Sequence, residues 1–223
     1  MQKPNVMLIG EMASGKSHAA RFLCDKYGYT LLSLAQPVKD IEEVFHQYEN
    51  KIINDLVADE DIWRILGSEQ IIDNGMYWEF IKILEEELPK IPREDPKPRK
   101  RLQYIGTDLG RKQISENLWI DIAMKRVKEE IGPFVIDDLR FLNEYEIFKT
   151  IGFIPIKLIM SPQIQQKRLE VLYGFDEDEI SLQLTHESET ELNRIEINEK
   201  YNVDADQNLI TMYEEIEQKL NLK

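Results

Sequence analysis

The segment GEMASGKS at residues 10–17 constrains this chain more strongly than any other part of its sequence. It follows the apolar run VMLI at residues 6–9 and precedes a pattern with helical spacing, so it joins a predicted strand to a predicted helix. The spacing G-x-x-x-x-G-K-[ST] in that context is typical of a phosphate-binding loop. Glycine lets the backbone approach a phosphate chain closely, and the N–H groups at the start of the helix then point at the anion.

The residues of this loop have expected roles if the loop binds a nucleotide. Lys16 would reach the β- and γ-phosphates, and the Ser17 hydroxyl would ligate Mg²⁺. The alternative is a glycine-containing turn at a strand–helix junction that binds no ligand. The nucleotide hypothesis assigns binding to Gly10, Ala13, Ser14, Gly15, Lys16 and Ser17.

The net charge of −14, from 28 basic and 42 acidic residues among 223, limits the partners of the chain. Nucleic acids and anionic membranes need a basic face, so neither is expected. A small anionic substrate is compatible with this charge, because a few Arg and Lys residues can make one cleft basic. Cys24 is the only cysteine, so an internal disulfide is excluded and a core position is expected for it. The chain shows no signal-peptide pattern and no apolar run long enough to span a bilayer, so a cytoplasmic location is expected.

Short apolar runs alternate with helical patterns along most of the chain. Helices are predicted at residues 16–27, 37–48, 61–66, 77–87, 118–130 and 143–151, from residue 162 onwards, and at 209–220. Strands are predicted at residues 6–9, 29–34, 134–136, 153–160 and 201–204. This alternation predicts an α/β fold with a parallel sheet and right-handed crossovers. Ligands of such sheets bind at the carboxyl ends of the strands.

Residues 88–101 differ in composition from the rest of the chain. Four prolines exclude an uninterrupted helix there, and six basic residues stand against Glu94 and Asp95. The basic residues are Lys90, Arg93, Lys97, Arg99, Lys100 and Arg101. Two interpretations stay open, namely a solvated loop and a mobile basic flap over an anionic ligand.

A second candidate for phosphate chemistry is the segment VID at residues 135–137, an apolar strand that ends in a carboxylate. Asp137 could hold Mg²⁺ through water or orient an attacking oxygen, and the alternative is an Asp that caps the following helix. Arg111, Arg140 and Arg168 fall in predicted cleft segments, where guanidinium groups suit bidentate contacts with phosphate. The alternative for each of these Arg residues is a surface salt bridge.

Several segments, taken in their order along the chain, resemble the bacteriophage deoxynucleoside monophosphate kinases. They are residues 10–17, LAQPVK at 34–39, LQYIGTD at 102–108 with Arg111 and Trp119, and VIDDLRF at 135–141 with Asn143 and Glu144. The tail, with HESE at residues 186–189, a short strand and DQN at 206–208, is also similar. The resemblance covers most of the chain and is weakest over residues 50–98, and only the phosphate loop is specific by itself.

The resemblance implies a three-layer P-loop kinase fold with a parallel sheet flanked by helices, plus a helical acceptor-binding insertion and a short lid. Residues 1–223 would form a single domain. Its core would comprise residues 1–36, 102–160 and 195–223, with the insertion at 37–101 and the lid at 161–194. Such enzymes transfer the γ-phosphate of ATP, with Mg²⁺, to the 5′-phosphate of a nucleotide.

The resemblance also implies roles for single residues. Lys16 and Ser17 match the positions for the ATP phosphates and Mg²⁺, and Asp137 matches the acidic strand end. Lys39, Arg111, Asp138 and Arg140 match the acceptor side. Arg168 falls where the lid of these kinases supplies an Arg to the transferring phosphate. The catalytic group implied is therefore Lys16, Asp137, Arg140 and Arg168.

Two other functions stay open at this stage. One is a P-loop kinase for another small acceptor, similar to dephospho-coenzyme A kinase. The other is a nucleotide-binding switch protein that transfers no phosphate to a small molecule. Base preference, discrimination against ribose and the oligomeric state, a homodimer included, also stay open. If the gene is phage-borne, the cytoplasm of the host is the expected location.

Overall fold

The computed structural model describes residues 3–66, 71–94, 98–174 and 195–222, together with residues 176, 180, 184 and 191. The chain forms two compact units, Met1–Ser33 with Ile131–Lys223 and Leu34–Glu130. The HESE motif at residues 186–189 and most of residues 175–194 lie outside the described residues. Within the described part of the chain, no helix is long and apolar enough to cross a membrane.

The strands of the first unit form one parallel sheet in the order β2-β3-β1-β4-β5. Their bounds are β1 Val6–Ile9, β2 Thr30–Leu31, β3 Phe134–Ile136, β4 Ile154–Ile159 and β5 Asn202–Asp204. The α-helices of the two units, in chain order, are α1 Lys16–Tyr27, α2 Gln36–Glu49, α3 Asp55–Leu66, α4 Asn74–Glu87, α5 Arg99–Gln103, α6 Leu118–Glu129, α7 Leu142–Thr150, α8 Pro162–Tyr173 and α9 Leu209–Leu220. The predicted α/β class is confirmed.

The central strand β1 carries the segment that leads into the phosphate loop. All four of its side chains are fully buried, as expected for a parallel strand covered on both faces. Val6 pairs with Val135 of β3 on one side and with Ile154 of β4 on the other. The predicted bounds of β1 and α1 are confirmed, and Gly28 ends α1 in a left-handed conformation.

The strand predicted at residues 29–34 is shorter in the structure. Only Thr30 and Leu31 form β2, which pairs with Phe134 and Val135 at an edge of the sheet. The remaining apolar residues of this run, Leu32 and Leu34, are buried without extending the strand. Leu32 N still donates to Val135 O at 2.9 Å, so the backbone follows β3 for one residue beyond the strand.

The second unit is a helical body around its own apolar core. Helices α2, α4 and α6 contribute the largest share of this core, because each has an apolar stripe at helical spacing. Among the fully buried side chains of the unit are Ile41, Leu66, Phe80 and Leu84. Residues 102–130, which the sequence assigned to the kinase core, pack with this unit since α6 buries its apolar face in the same cluster.

A π-helix, Tyr104–Ile114, lies between α5 and α6 and carries Arg111. Its wide hydrogen-bond register is visible at its end, where Ser115 N donates to Gly110 O at 2.9 Å, five residues back. Trp119 packs so closely on the helix that a Cβ at Gly110 would lie 2.4 Å from Cζ2 of its ring. The Trp119 ring is 4% exposed and its Nε1 donates to Gly106 O at 2.7 Å, so its position is in the core. The π-helix is rare and is found mostly as single-turn bulges, which are frequent at functional sites.

The basic segment at residues 88–101 is attached to α2 by ion pairs. Arg101 is 5% exposed, and it donates from two nitrogens to the Glu49 carboxylate at 2.5 and 3.1 Å. Arg93 donates to Glu42 at 3.0 Å, and Glu42 is itself buried. These contacts hold the two guanidinium groups inside the second unit. They favour a structural role for Arg93 and Arg101 over a mobile flap, and residues 95–97 of the segment, Lys97 included, lie outside the described residues.

Three carboxylates, Asp55, Asp59 and Glu85, lie together where α3 meets α4. Burial raises the pKa of the Asp59 carboxyl, and the nearby Asp55 raises it further. Burial, with Asp59 and Asp55, also raises the pKa of Glu85. A carboxyl whose pKa is higher in the folded chain than in the unfolded chain destabilises the fold once it is ionised. This destabilisation is absent below the ordinary carboxyl pKa of about 4 and grows as the pH rises through the raised pKa.

We therefore expect Asp59→Asn to increase the free energy of unfolding at pH 7 by about 0.5–1 kcal/mol, because the site is partly exposed and the repulsion is screened. Urea denaturation at pH 7 and at pH 4 measures the effect, which should fade at the lower pH. Glu60→Gln, an exposed change of the same charge on the same helix, is the control. An equal gain from both variants would attribute the effect to net charge rather than to the cluster.

Candidate active site

Two glycines give the phosphate loop its shape for different reasons. Gly10 lies against β4, since a Cβ at this position would be 3.0 Å from Leu158 O and 2.6 Å from Ser14 Oγ. Any side chain here would therefore push the loop off the sheet. Gly15 has φ of +98° and is the N-cap of α1, a left-handed conformation that favours glycine. The loop thus leaves the end of β1 and enters α1 in one tight turn.

The polar groups of the loop are arranged around the start of α1. Lys16 Nζ donates to the carbonyl oxygens of Gly10 and Glu11. The Ser17 side chain is exposed in the first turn of the helix. Ser14 is only 1% exposed, and its hydroxyl has no hydrogen-bond partner among the described residues. A buried hydroxyl that the protein leaves unpaired is a natural contact for a bound polar ligand.

Asp137 and Asp138 follow β3, the strand beside β1, and have different surroundings. Asp137 is the first residue after the carboxyl end of β3, and it is half-buried. The Asp138 carboxylate accepts a hydrogen bond of 2.5 Å from the Ser33 hydroxyl, which follows β2. Asp138 thus links the ends of two neighbouring strands. Asp137 follows β3. This strand lies beside β1, which leads into the phosphate loop.

The turn that carries Arg140 is held by a buried carboxylate. Glu144 is 4% exposed, and its Oε2 accepts from the backbone N–H groups of Arg140 at 2.7 Å and Phe141 at 3.0 Å. These bonds satisfy donors at the start of α7 and fix the backbone of the turn. The Arg140 side chain itself is exposed. The sequence did not predict this role for Glu144, although an acidic residue four positions after Arg140 is a recognisable helix-start signal.

Arg168 lies on α8 and contacts the phosphate loop through the backbone. Its Nη1 donates to Ala13 O at 3.2 Å, and its Nη2 donates to Ala205 O at 2.7 Å in the segment that follows β5. Gln165, one turn earlier on the same helix, donates to Met12 O at 3.2 Å. The sequence gave no role to Gln165, and the signal that could have found it is its i, i+3 spacing to Arg168.

Lys39 and Arg111 belong to the second unit. Lys39 is exposed in the first turn of α2, whose start is set by Pro37. Arg111 lies on the π-helix with its side chain 10% exposed, and its Nη2 is 3.8 Å from Glu116 Oε1. The other candidates, from the phosphate loop to Arg168, belong to the first unit.

Cys24 has the properties of a core residue. It packs against the apolar cluster behind α1, and burial raises the pKa of its thiol, with Asp25 and Asp137 adding to the shift. A thiol with a raised pKa stays protonated and is a poor nucleophile. The expectation that Cys24 is structural is supported.

A phosphate loop between a central parallel strand and a helix, in an α/β sheet with an acidic residue after the neighbouring strand, defines a P-loop nucleotide-binding fold. A putative deoxynucleotide monophosphate kinase of Acanthamoeba polyphaga mimivirus is 30% identical over 167 residues, which cover 68% of this chain and 71% of that protein. The chain belongs to the deoxynucleotide monophosphate kinase family.

One further relative and one solved structure are also similar to this chain. A deoxynucleoside-5′-monophosphate kinase of Escherichia phage T5 is 27% identical over 177 residues, covering 65% of this chain and 71% of that protein. Among solved structures, TT1252 of Thermus thermophilus aligns over 100% of this chain and 98% of its own, with a TM-score of 0.50 and 15% identity, a likeness of fold alone. No family model matches the sequence.

Proposed function

We propose that this chain transfers the γ-phosphoryl group of ATP to the 5′-phosphate of a deoxynucleoside monophosphate, giving the diphosphate and ADP. The observation that carries the proposal is the phosphate loop at the end of β1. Lys16 and Ser17 stand at the start of α1, and Asp137 follows the adjacent strand. Membership of the deoxynucleotide monophosphate kinase family supports the choice of acceptor.

The donor half of the reaction is assigned to the first unit. The backbone of residues 10–17 and the start of α1 would bind the phosphate chain of ATP, and the buried Ser14 hydroxyl offers a further contact. Lys16 would exchange its hydrogen bonds with the loop carbonyls for contacts with the β- and γ-phosphates. Its charge is most valuable where negative charge develops on the leaving ADP.

The residues around the loop fit Mg²⁺, a cation that prefers oxygen ligands and keeps several waters. Ser17 offers an exposed hydroxyl, and Asp137 a carboxylate at the end of β3. Among the described residues no group of three or more His, Cys, Asp or Glu side chains could hold a metal ion. Mg²⁺ in phosphoryl-transfer sites is usually held by one or two side chains together with substrate phosphates, so it does not require such a group. When bound, Mg²⁺ would neutralise charge on the transferring phosphates.

The transfer itself needs no covalent intermediate with the protein. An oxygen of the acceptor phosphate forms a bond to the γ-phosphorus, and the bond from the γ-phosphorus to the bridging oxygen breaks. ADP leaves with the electron pair of that bond. The protein contributes positioning and positive charge around the transferring group. Within the first unit, Asp138 and Arg140 are the proposed contacts of the acceptor nucleotide, and within the second unit the candidates from the sequence resemblance are Lys39 and Arg111.

Coupled measurement of ADP release with a panel of deoxynucleoside and ribonucleoside monophosphates tests the proposal. We expect ADP release to depend on one or more deoxynucleoside monophosphates, with a matching diphosphate as the product. Dephospho-coenzyme A is added to the panel to test the alternative of a kinase similar to dephospho-coenzyme A kinase. ATP binding without turnover for any monophosphate would overturn the proposal and favour a nucleotide-binding switch.

We expect Arg140→Ala to weaken use of the acceptor more than use of ATP. A charged hydrogen bond to phosphate contributes about 1.5–3 kcal/mol, so the KM for the acceptor should rise about 10- to 100-fold. The KM for ATP should stay close to the wild-type value. Steady-state kinetics with each substrate varied in turn measures both constants. Lys149→Ala, an exposed change of the same charge on α7, is the control, and acceptor kinetics unchanged by Arg140→Ala would remove this residue from the acceptor site.

The proposed partners are small nucleotides, and with a net charge of −14 no nucleic-acid substrate is proposed. ATP and deoxynucleoside monophosphates are cytoplasmic metabolites, so the proposed location is the cytoplasm, that of the host cell if the gene is phage-borne.

A further inference from the structure

Helix α8 bonds two consecutive carbonyl groups of the phosphate loop from outside the loop. Gln165 Nε2 donates to Met12 O at 3.2 Å, and Arg168 Nη1 donates to Ala13 O at 3.2 Å. Gln165 is 4% exposed, so its amide has few alternatives to this bond. The two side chains are three residues apart and therefore lie on one face of the helix.

The residue between these two carbonyl groups is in an uncommon conformation. Ala13 has φ of +65°, in the left-handed region that residues other than glycine rarely adopt. The Met12 carbonyl belongs to the peptide plane before Ala13, and the Ala13 carbonyl to the plane after it. Gln165 and Arg168 thus fix the peptide planes on both sides of the left-handed residue. A conformation of this kind persists only where the surrounding contacts hold it.

The direction of these carbonyl groups matters for an anion. A carbonyl oxygen that faced a phosphate would repel it. In a trans peptide the carbonyl and the following N–H point in opposite directions, so binding Met12 O to α8 turns the Ala13 N–H away from α8. Backbone N–H groups arranged in this way form an anion-binding concavity. The contacts from α8 therefore favour a loop shape suited to phosphate.

Arg168 makes further contacts in this arrangement. Besides Ala13 O, its guanidinium contacts Ala205 O at 2.7 Å and Met160 Sδ at 3.4 Å. The start of α8 is tied to the same segment, since Ser161 N donates to Asp206 Oδ1 at 2.9 Å. The start of α8 and its middle turn, at Arg168, are thus both fixed to the segment after β5. The helix forms a support behind the phosphate loop.

We propose that Gln165 and Arg168 are positioning residues that hold the phosphate loop in the conformation that binds a nucleotide. In this proposal Arg168 acts through the Ala13 carbonyl and does not contact the transferring phosphate, in contrast to the lid role that the sequence resemblance implies. The proposal rests on the proposed function, because it takes the loop to be the site of ATP and ADP.

ADP lacks the phosphate that is transferred. Its binding therefore reports on support of the loop by Arg168 and not on a contact between Arg168 and the transferring phosphate. Calorimetric titration with ADP and steady-state kinetics with ATP are measured for Gln165→Ala and Arg168→Ala. If the side chains shape the loop, the Kd for ADP and the KM for ATP rise by a similar factor. This factor should be about tenfold for Arg168→Ala and smaller for the neutral Gln165→Ala, in line with charged and neutral hydrogen bonds. Arg168→Lys keeps the charge but lacks the planar fork of the guanidinium, so it should be intermediate.

Neighbouring residues of α8 provide matched controls. Gln166→Ala removes an exposed amide of the same size, and Lys167→Ala removes an exposed positive charge next to Arg168. Both should bind ADP within about twofold of the wild-type protein. Thermal unfolding of every variant shows whether the fold is retained, and Gln165→Ala, which removes no charge, keeps the test open if Arg168→Ala does not fold.

Two results would overturn the proposal. Wild-type ADP affinity in folded Arg168→Ala with a large loss of kcat would show a direct contact with the transferring phosphate. Wild-type ADP affinity in folded Gln165→Ala and Arg168→Lys would show that the loop holds its shape without α8. Failure of the wild-type protein to bind ADP is a separate outcome, which would remove the donor site and the proposed function together.

Discussion

Lys16→Ala is expected to lower kcat by about 10²- to 10³-fold, the range seen when one preorganised donor to developing negative charge is removed. Lys16 stands at the first position of α1, and its ammonium group lies over the loop, on the carbonyl oxygens of Gly10 and Glu11. In the proposed reaction its charge would stabilise the transition state more than the bound substrate, because negative charge would move onto the leaving ADP during transfer. The loss should therefore appear mainly in kcat and to a smaller extent in the KM for ATP.

The rate of ADP release at saturating ATP and acceptor measures this loss of kcat. Arg21→Ala is the matched control. Arg21 is an exposed cation on the same helix, so its removal should leave kcat within about twofold of the wild-type value. Circular dichroism shows whether α1 is retained in both variants. A kcat in Lys16→Ala close to that of the wild type would mean that the loop does not hold the transferred phosphate.

Gly110→Ala is expected to lower the free energy of unfolding by about 1–3 kcal/mol, as overpacking of a tight contact does. The added Cβ would lie 2.4 Å from Trp119 Cζ2 and 2.9 Å from Ile105 O, and neither the ring nor the backbone can move freely in this core. Relief requires the π-helix to change its register, which would rotate Arg111 about the helix axis. If Arg111 contacts the acceptor, the KM for the acceptor should rise while the KM for ATP changes little.

The π-helix supplies its own control for this variant. At Gly106 an added Cβ would meet two Val38 methyl groups at 3.6 Å, which is an ordinary van der Waals distance. The free energy of unfolding of Gly106→Ala should therefore lie within about 0.5 kcal/mol of the wild-type value. This is the usual range for substitutions that create no clash, cavity or unpaired polar group. Urea denaturation compares the two variants. Equal stability of Gly110→Ala and Gly106→Ala would show that Trp119 does not pack as tightly as described.

The donor side of the site could be predicted from sequence because local rules determine it. Val6–Ile9 is a continuous apolar run, Gly15 is needed for a left-handed cap, and Gly28 ends the helix, so strand, loop and helix follow from adjacent residues. Asp137 could be placed in the same way, since it directly follows an apolar strand. What the sequence could not give is the neighbour of each strand, which long-range pairing decides.

The parts that sequence did not predict depend on contacts between distant residues. The π-helix has an apolar pattern compatible with an α-helix, and Trp119, which packs closely on Gly110, follows it in the next helix. Arg101 is part of a basic run in the sequence, yet it is buried against Glu49, 52 positions away. Arg168 lies on the predicted helix, but its bond to Ala13 spans 155 positions. The sequence shows that such side chains are charged. Their hydrogen-bond partners depend on how distant segments pack together.

The position of β1 in the sheet has a consequence for how the protein loses its ligand on heating. Because β1 is bonded to a strand on each side and all its side chains are buried, it belongs to the part of a fold that opens only with global unfolding. The phosphate loop is anchored directly to this strand, and Gly10 is wedged against β4. Nucleotide affinity is thereby coupled to the cooperative melting of the first unit rather than to local fraying. Loss of bound nucleotide on heating should consequently follow the unfolding of the entire sheet.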